Sequence, residues 1–255
     1  MRKIISILFL VLVLVACSKE NEKINETAQL KNKKIAVLTG SAGDIAARKV
    51  FPNAKYFDFI ASADAAYNVK IGKIDAFIFD KSVLVSLTKK DNYLKILSDP
   101  VANVEIAIAL SKENNSLLNE INNALEELRN DGSLEAMKEK WIDSQYKTVP
   151  ELPVIQNDSK NGKLKMGTCA TVEPITFLYN NKITGFDIEL SLKLGKILGK
   201  KIEIIDMNFE SLISALKSGK IDFALSNFNV TEERKQYINF SSAYLINDIS
   251  ALVKK

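Results

Sequence analysis

The sequence predicts an α/β protein made of two Rossmann-like halves around a cleft. Three observations carry this. Apolar strands alternate with amphipathic helices along most of the chain, as in Lys33–Thr39 followed by Ile45–Val50 and Ile202–Ile205 followed by Phe209–Gly219. One unit occurs twice: a helix, then Gly-Lys-Ile-Asp, then an apolar strand and a polar residue, at Gly72–Asp80 and again at Gly219–Asn227. The strands release polar side chains at their C-terminal ends, which is where open α/β sheets bind ligands.

The chain has 255 residues, enough for two small cores. It is 47% hydrophobic and 26% charged, within the range of globular proteins. Its formal charge is +4, half of it from Arg2 and Lys3, which gives no case for a nucleic-acid surface. There is no histidine, so the commonest metal ligand and neutral-pH base is missing; no cofactor and no metal are expected. The two cysteines are Cys17 and Cys169.

In chain order, Met1-Arg-Lys precedes an apolar run, Ile4–Val15, broken only by Ser6 and ending in Leu14-Val-Ala-Cys17. A basic start, a short apolar core and a small residue before the cut describe a secretory signal. The ending resembles the lipobox of bacterial lipoproteins. That resemblance implies cleavage after Ala16, acylation of Cys17 (diacylglycerol and a palmitate-like chain) and a membrane-anchored, extracytoplasmic protein. Ser18–Gln29 is polar and aperiodic and reads as a tether.

Lys33–Thr39 is a strand, and Gly40-Ser-Ala-Gly-Asp44 a small-residue turn before a helix over Ile45–Val50. Ser41 is either the cap of that helix or a ligand contact. Ala54–Phe59 alternates as a strand, Ser62–Ile71 is a helix stopped by Gly72, and Asp75–Asp80 is the next strand. Asp80 either caps Ser82–Thr88 or points a carboxylate at a ligand cation. Leu94–Leu97 and Val104–Leu110 are strands. Ser116–Asn130 and Ser133–Ile142 are helices, the second carrying Trp141 as a packing anchor. Gln145–Lys160, with Pro150 and Pro153, is a linker. Lys163–Thr168, Ile202–Ile205, Ile221–Leu225 and Ile249–Lys255 are strands; Gly185–Leu198 and Phe209–Gly219 lie on helices, and Thr231 opens another. Ser226, Asn227, Asn229 and Arg234 cluster after the repeated strand.

Several stretches together resemble the family-3 periplasmic solute-binding proteins, the amino-acid receptors of ABC importers. Gly162-Lys-Leu-Lys-Met-Gly-Thr-Cys-Ala-Thr171 with Pro174, Gly185-Phe-Asp-Ile-Glu-Leu190, Leu212–Asp222 and Val230-Thr-Glu-Glu-Arg234 look like that family's first half. Leu30–Val37 with Thr39-Gly-Ser41, Gly72-Lys-Ile-Asp75 and Leu134–Trp141 look like its second half. The halves stand in reversed order, which points to a circular permutation of a type II periplasmic-binding fold. The expected boundaries are a leader over 1–16, a lipidated tether over 17–30 and the family's second lobe over 31–103. A hinge strand and helices packing on the other lobe follow over 104–145, a linker over 146–161, and the family's first lobe over 162–255, ending in a hinge strand. Only the region around Ala102–Glu105 is expected to cross covalently between lobes, giving a looser hinge. The rival is a fragment of a tandem array, which would be a swapped dimer where the permutant is a monomer.

The resemblance implies capture of a small solute, an amino acid, for an ABC permease. Arg234 would clamp its carboxylate with two parallel bonds, helped by Ser41, and Asp80 would hold its ammonium. Ser226, Asn227 and Asn229 would add polar contacts, with Phe209 as an aromatic wall and Thr171 and Val172 as further lining. Val172 replaces the family's usual aromatic residue, Cys169 a frequent acid, and Ala42 and Gly43 frequent polar residues, so a basic amino acid is disfavoured. A sensing or partner-binding role without transport is the alternative. Less favoured is a cyclic-acid dehydratase using Glu173, because no second acid or histidine accompanies it.

Overall fold

The computed structural model describes residues 23–144, 146–156 and 159–255. The leader, Cys17 and the start of the tether lie outside them. The chain opens on a 3₁₀ turn, Thr27–Leu30. It continues through β1 (Lys34–Leu38), α1 (Ala42–Val50), β2 (Lys55–Phe59), α2 (Ser62–Lys70), β3 (Ala76–Asp80), α3 (Lys81–Lys90) and β4 (Leu94–Ile96). Next come β5 (Ala102–Ile106), β6 (Ala109–Ser111), α4 (Asn115–Asn130) and α5 (Ser133–Lys138). After the linker stand β7 (Lys163–Thr168), β8 (Thr171–Val172), β9 (Thr176–Tyr179), β10 (Lys182–Thr184), α6 (Phe186–Leu198) and β11 (Lys201–Asp206). The remainder is α7 (Leu212–Lys217), β12 (Phe223–Ala224), α8 (Glu232–Lys235), β13 (Ile238–Phe240) and β14 (Leu245–Lys254).

Two main sheets form, ordered β2-β1-β3-β14-β4 and β11-β7-β12-β6-β13, with a small antiparallel sheet β10-β9-β8 beside the second. In the first, β1 is parallel to β2 and β3, and β14 runs antiparallel to β3 and β4. Its strands alternate between two buried faces. Ile35, Val37, Ile78, Ala251 and Val253 pack with α1; Ala36, Phe77, Phe79 and Leu252 pack on the other side with residues of α2 and α3. The second lobe repeats this layering. Helices α4 to α6 cover one face in a core holding Trp141, Phe186 and Leu125, and α7 covers the other with Leu212, Leu216 and Phe228.

Each part of the chain gives a strand to the sheet built by the other. β6, from the first part, lies between β12 and β13, and β14, from the last part, lies between β3 and β4. The expectation of one long strand over Val104–Leu110 therefore resolves into two short ones, because Ala107 and Ile108 carry the chain from sheet to sheet. The expected hinge strand Ile249–Lys255 forms the later part of β14 and does pair in the sheet, as expected. It is an inner strand of the first sheet, with Ala251 and Leu252 fully buried. The second covalent crossing runs through 241–244, so two crossings join the lobes rather than one, and the premise of a loosened hinge falls. Strands β5 and β14 pair in register alongside these crossings, Leu245 with Ile106 through Ile249 with Ala102.

The tether also ends earlier than the sequence implies. Ile24 and Leu30 are buried against the first sheet, and Thr27 bonds Asp99 through both its N–H (2.9 Å) and its hydroxyl (2.7 Å). Two apolar side chains in a polar stretch suffice to dock it. Helix α1 starts at Ala42 rather than Ile45. Gly43 belongs to its first turn because the helix lies directly on β3: a Cβ there would stand 2.7 Å from the Ile78 carbonyl oxygen. The helix over Ser133–Ile142 is α-helical only to Lys138 and finishes as a π turn over Glu139–Asp143. That turn aims the fully buried Trp141 so that its Nε1–H donates to Glu189 at 2.9 Å.

Candidate functional site

The site lies where the C-terminal ends of β1 and β3 meet the loop after β12. On the first lobe, Asp80 ends β3 and is 1% exposed. Asn247 of β14 donates to its Oδ1 at 2.7 Å. Burial pushes its carboxyl up to about 6, against the favourable pull of Asn247, Asn229, Asn227 and the Arg234 charge. Of its two expected roles, Asp80 takes the position facing the other lobe; its side chain makes no capping bond to α3.

On the second lobe, Thr231 caps α8 by accepting from the Arg234 N–H, and this fixes where Arg234 starts. The guanidinium lies 5.1 Å from the Phe209 ring and 5.0 Å from the Phe228 ring, which themselves pack tilted at 34° with centroids 4.9 Å apart. It donates to the Asn229 carbonyl at 2.9 Å and, across the cleft, to the Gly40 carbonyl at 3.4 Å. A guanidinium carries five N–H donors, so these two backbone contacts leave capacity for a planar anion. Desolvation lowers the Arg234 pKa, while Asp80 and Glu233 oppose the shift. Asp80 and Arg234, predicted on opposite jaws, are thus brought together in one buried place.

Between them stand Asn227 and Asn229, both buried, with Oδ1 atoms that find no hydrogen-bond partner among the described residues. Asn227 takes a positive φ of 50°, which asparagine tolerates, and the turn points its N–H back into its own lobe. There the N–H donates at 2.9 Å to Asp187. Ser226 accepts from the Cys169 N–H at 3.0 Å and so joins the loops after β7 and β12. Phe209 is partly exposed beside Arg234, at the position expected of a wall.

Ser41 does act as a cap, accepting from the Asp44 N–H at 3.1 Å, and the Gly40 N–H donates to Asp44 at 3.0 Å. Its turn still borders the cleft through the Gly40 contact to Arg234. Thr171 is exposed and its hydroxyl lies 3.3 Å from Cys169 Sγ. Val172 is half-buried and packs against the cores of both lobes, so it belongs to the interface between lobes more than to a pocket wall. Across the cleft beside Asp80, Arg234 reaches the Gly40 carbonyl of the other lobe. The open volume beside it, about 290 Å³, lies toward the crossings and is lined by Ser82, Ser86, Pro174 and Asn247 among others, not by Arg234.

Three supporting residues escape the sequence reading. Asn247 donates to Asp80 at 2.7 Å from a strand expected in the other lobe. Asp187, fully buried at the start of α6, accepts from both Asn227 N–H and the Tyr244 hydroxyl (2.7 Å). Its carboxyl is pushed up to about 7 by burial, and the Tyr244 hydroxyl is raised well above its ordinary value for the same reason. The Gly-Phe-Asp-Ile-Glu motif marked this residue, but helix starts favour acids anyway and gave it no separate signal. Asp206 accepts from the Ala170 N–H at 3.0 Å, placing an acid beside the Cys169–Val172 loop that was expected to lack one.

Two α/β lobes, two crossings and a polar site buried between strand ends define a two-lobed ligand-binding protein of the type II periplasmic-binding class. The chain belongs to the bacterial extracellular solute-binding proteins, family 3, whose signature covers residues 15–144 and 164–255. Among similar proteins, the Arginine-binding extracellular protein ArtP of Bacillus subtilis is 41% identical over 99 residues, 39% of this chain and 39% of that protein. The Probable histidine-binding protein of Campylobacter jejuni is 40% identical over 84 residues, 33% of each chain. The L-cystine-binding protein TcyJ of Escherichia coli K12 is 31% identical over 110 residues, 43% of this chain and 41% of that protein. Each match spans about two fifths or less of the relative's length.

Proposed function

We propose that this protein is an extracytoplasmic lipoprotein that captures an amino acid between its lobes for the permease of an ABC importer. The observation that carries this is the placement of unlike charges from opposite lobes, Asp80 and Arg234, both at least nine-tenths buried and close enough to act on each other. An amino acid's ammonium and carboxylate match them in sign. The ammonium's three donors would also use the spare Oδ1 acceptors of Asn227 and Asn229, and the carboxylate would take the remaining Arg234 donors. Names among the relatives, arginine-binding and cystine-binding, belong to the same ligand class. Asp206 beside the Cys169–Val172 loop reopens a cationic side chain, which the sequence alone disfavoured. Cys17 would carry the lipid anchor.

The test is a thermal-shift screen of residues 18–255 against neutral, acidic and basic amino acids and small carboxylates. One amino acid raises the melting temperature in proportion to its occupancy, and Arg234→Ala and Asp80→Ala remove the shift. No shift with any amino acid, or a shift that survives Arg234→Ala, sinks the reading.

A circular permutation is part of the same proposal. The signature falls into two blocks separated by the linker. Ile35 of β1 and Val253 of β14 both pair with Ala76 from opposite sides, so the two strands stand two spacings apart, roughly 10 Å. A short loop spans that gap, and the family's direct join from β14 into β1 needs no other change. A chain rebuilt as 162–255 joined to 30–144 should fold as a monomer and bind the same solute with the same affinity. A dimer on sizing, for either order, would favour the tandem-array reading.

A further inference from the structure

The first sheet ends in lysine at one rim. β2 starts at Lys55 and β1 at Lys34 with Lys33 before it; Lys73 precedes β3; β14 finishes in Lys254 and Lys255. Lys23 and Lys31 lie where the described chain begins, and Lys23, Lys33, Lys254 and Lys255 line one shallow cavity on this rim. All of these but Lys33 are exposed, and none forms an ion pair among the described residues. The nearby acids are already engaged. Asp75 accepts from the Lys34 N–H at 2.7 Å, Asp91 pairs with Lys70 at 2.6 Å, and Asp99 holds Thr27. Among the described residues Glu26 is an exposed acid three positions from Lys23. At the β4 edge of the rim Tyr93 is 65% exposed, its ring 5.2 Å from Lys70 Nζ and its carbonyl accepting from the Lys255 N–H. The other ends of β1, β2 and β3 close on Leu38, Phe59 and Asp80, so the positive charge belongs to the end away from the cleft.

From this geometry we infer that the lysine rim is a docking surface for an anionic lipid bilayer. The inference rests on the acylation of Cys17 proposed above for its orientation. Six positions separate Cys17 from Lys23, so an acylated Cys17 holds this end of the protein within roughly 20 Å of the headgroups. Lysines near an anionic surface are attracted by its potential, which decays over one Debye length, and an exposed tyrosine among them suits the headgroup region. The short tether holds the rim within about two Debye lengths of the headgroups at physiological salt and within one at low salt, and the cleft faces away from the lipid.

Residues 18–255, which contain every element of both sheets and no acylation site, are mixed with vesicles of phosphatidylcholine alone or with 40% phosphatidylglycerol, at low salt. Cosedimentation measures partition. The protein should bind the phosphatidylglycerol vesicles at least tenfold better, and half-molar salt should abolish the difference. Lys31, Lys33, Lys254 and Lys255→Gln together should reduce partition tenfold or more. Lys112, Lys201, Lys217 and Lys220→Gln on the second lobe should reduce it less than threefold, with melting temperatures of both variants checked first. Equal binding to both vesicle types, or equal losses from the two lysine sets, overturns the inference. The mass of native Cys17 tests the anchor separately, so failure of the acylation reading is told apart from failure of the rim.

Discussion

The two Gly-Lys-Ile-Asp segments are nearly superimposable in their bonding and then part company. Gly72 and Gly219 take φ values of 75° and 68°, closing α2 and α7, with their N–H groups bonded to Val69 and Leu216 at 3.0 and 3.2 Å. Asp75 and Asp222 then do the same thing in each lobe. The backbone N–H of each donates to the carbonyl of Lys34 or Lys165, and its carboxylate accepts the N–H of the same residue, at 2.7 and 2.6 Å. Four positions later the first copy is still strand, paired with β14, and ends in Asp80. The second has left the sheet after Ala224 and turned at Asn227 with positive φ. The repeated part builds a strand start; the divergent part builds the candidate site, with a carboxylate at a strand end on one jaw and a loop carrying amides and a guanidinium on the other.

The second jaw's turn rests on Asp187, and the first has no counterpart. This gives the largest expected effect. Asp187 has an ordinary carboxylate value when unfolded and about 7 when buried, so the native state keeps a proton that the unfolded chain gives up. Stability from this group is full below about pH 4 and is lost as pH rises to 7, a change of a few kcal/mol. In Asp187→Asn that slope should vanish. Wild-type stability minus that of the variant, from urea melts, should fall by that amount between pH 4 and 7; a constant difference would show that Asp187 is not a buried acid holding the loop.

Arg234→Ala should raise the dissociation constant of the screened amino acid by a hundredfold or more, about 3 kcal/mol, because the ligand carboxylate would be left buried and unpaired. Calorimetry checks it, and a loss under fivefold would move the carboxylate elsewhere. Asp80→Asn makes the two jaws alike. In wild type, Asp80 is protonated below about pH 6 in the empty site and must ionise to hold an ammonium. Affinity should therefore weaken about tenfold per pH unit below 6, near 1.4 kcal/mol. Asp80→Asn should bind more weakly at pH 7 and lose that dependence.

Much of this comparison is legible in the sequence, because the repeat is exact in its first four residues and because Thr231 and Arg234 stand at fixed cap spacing. Asp80 and Arg234 could be assigned to facing jaws on that basis. Asn247 could not. Its role depends on β14 leaving the lobe that precedes it and joining the other sheet, and no local pattern in Ile249–Lys255 distinguishes a hinge strand from an inner strand. Asp187 was hidden for the opposite reason, since an acid in the first turn of a helix already has a sufficient local explanation. The buried Ile24 and Leu30 show the same limit: two apolar residues in a polar run have no period to read.

The smallest effect tests the shared part. Asp75→Ala and Asp222→Ala each remove one carboxylate from one strand-start N–H while leaving the backbone pair beside it intact. Both N–H groups belong to exposed lysines at sheet rims, where water replaces the lost acceptor, so each change should cost about 1 kcal/mol. If the segments are equivalent scaffolds, the two costs agree within about 0.5 kcal/mol, and they add in the double variant because the sites lie in different sheets. Ligand affinity should not move in either. A cost confined to Asp222, or an affinity change from it alone, would mean that the strand start beneath the looped jaw helps set Asn227. The division between common scaffold and divergent site would then lie earlier in the repeat than Ala224.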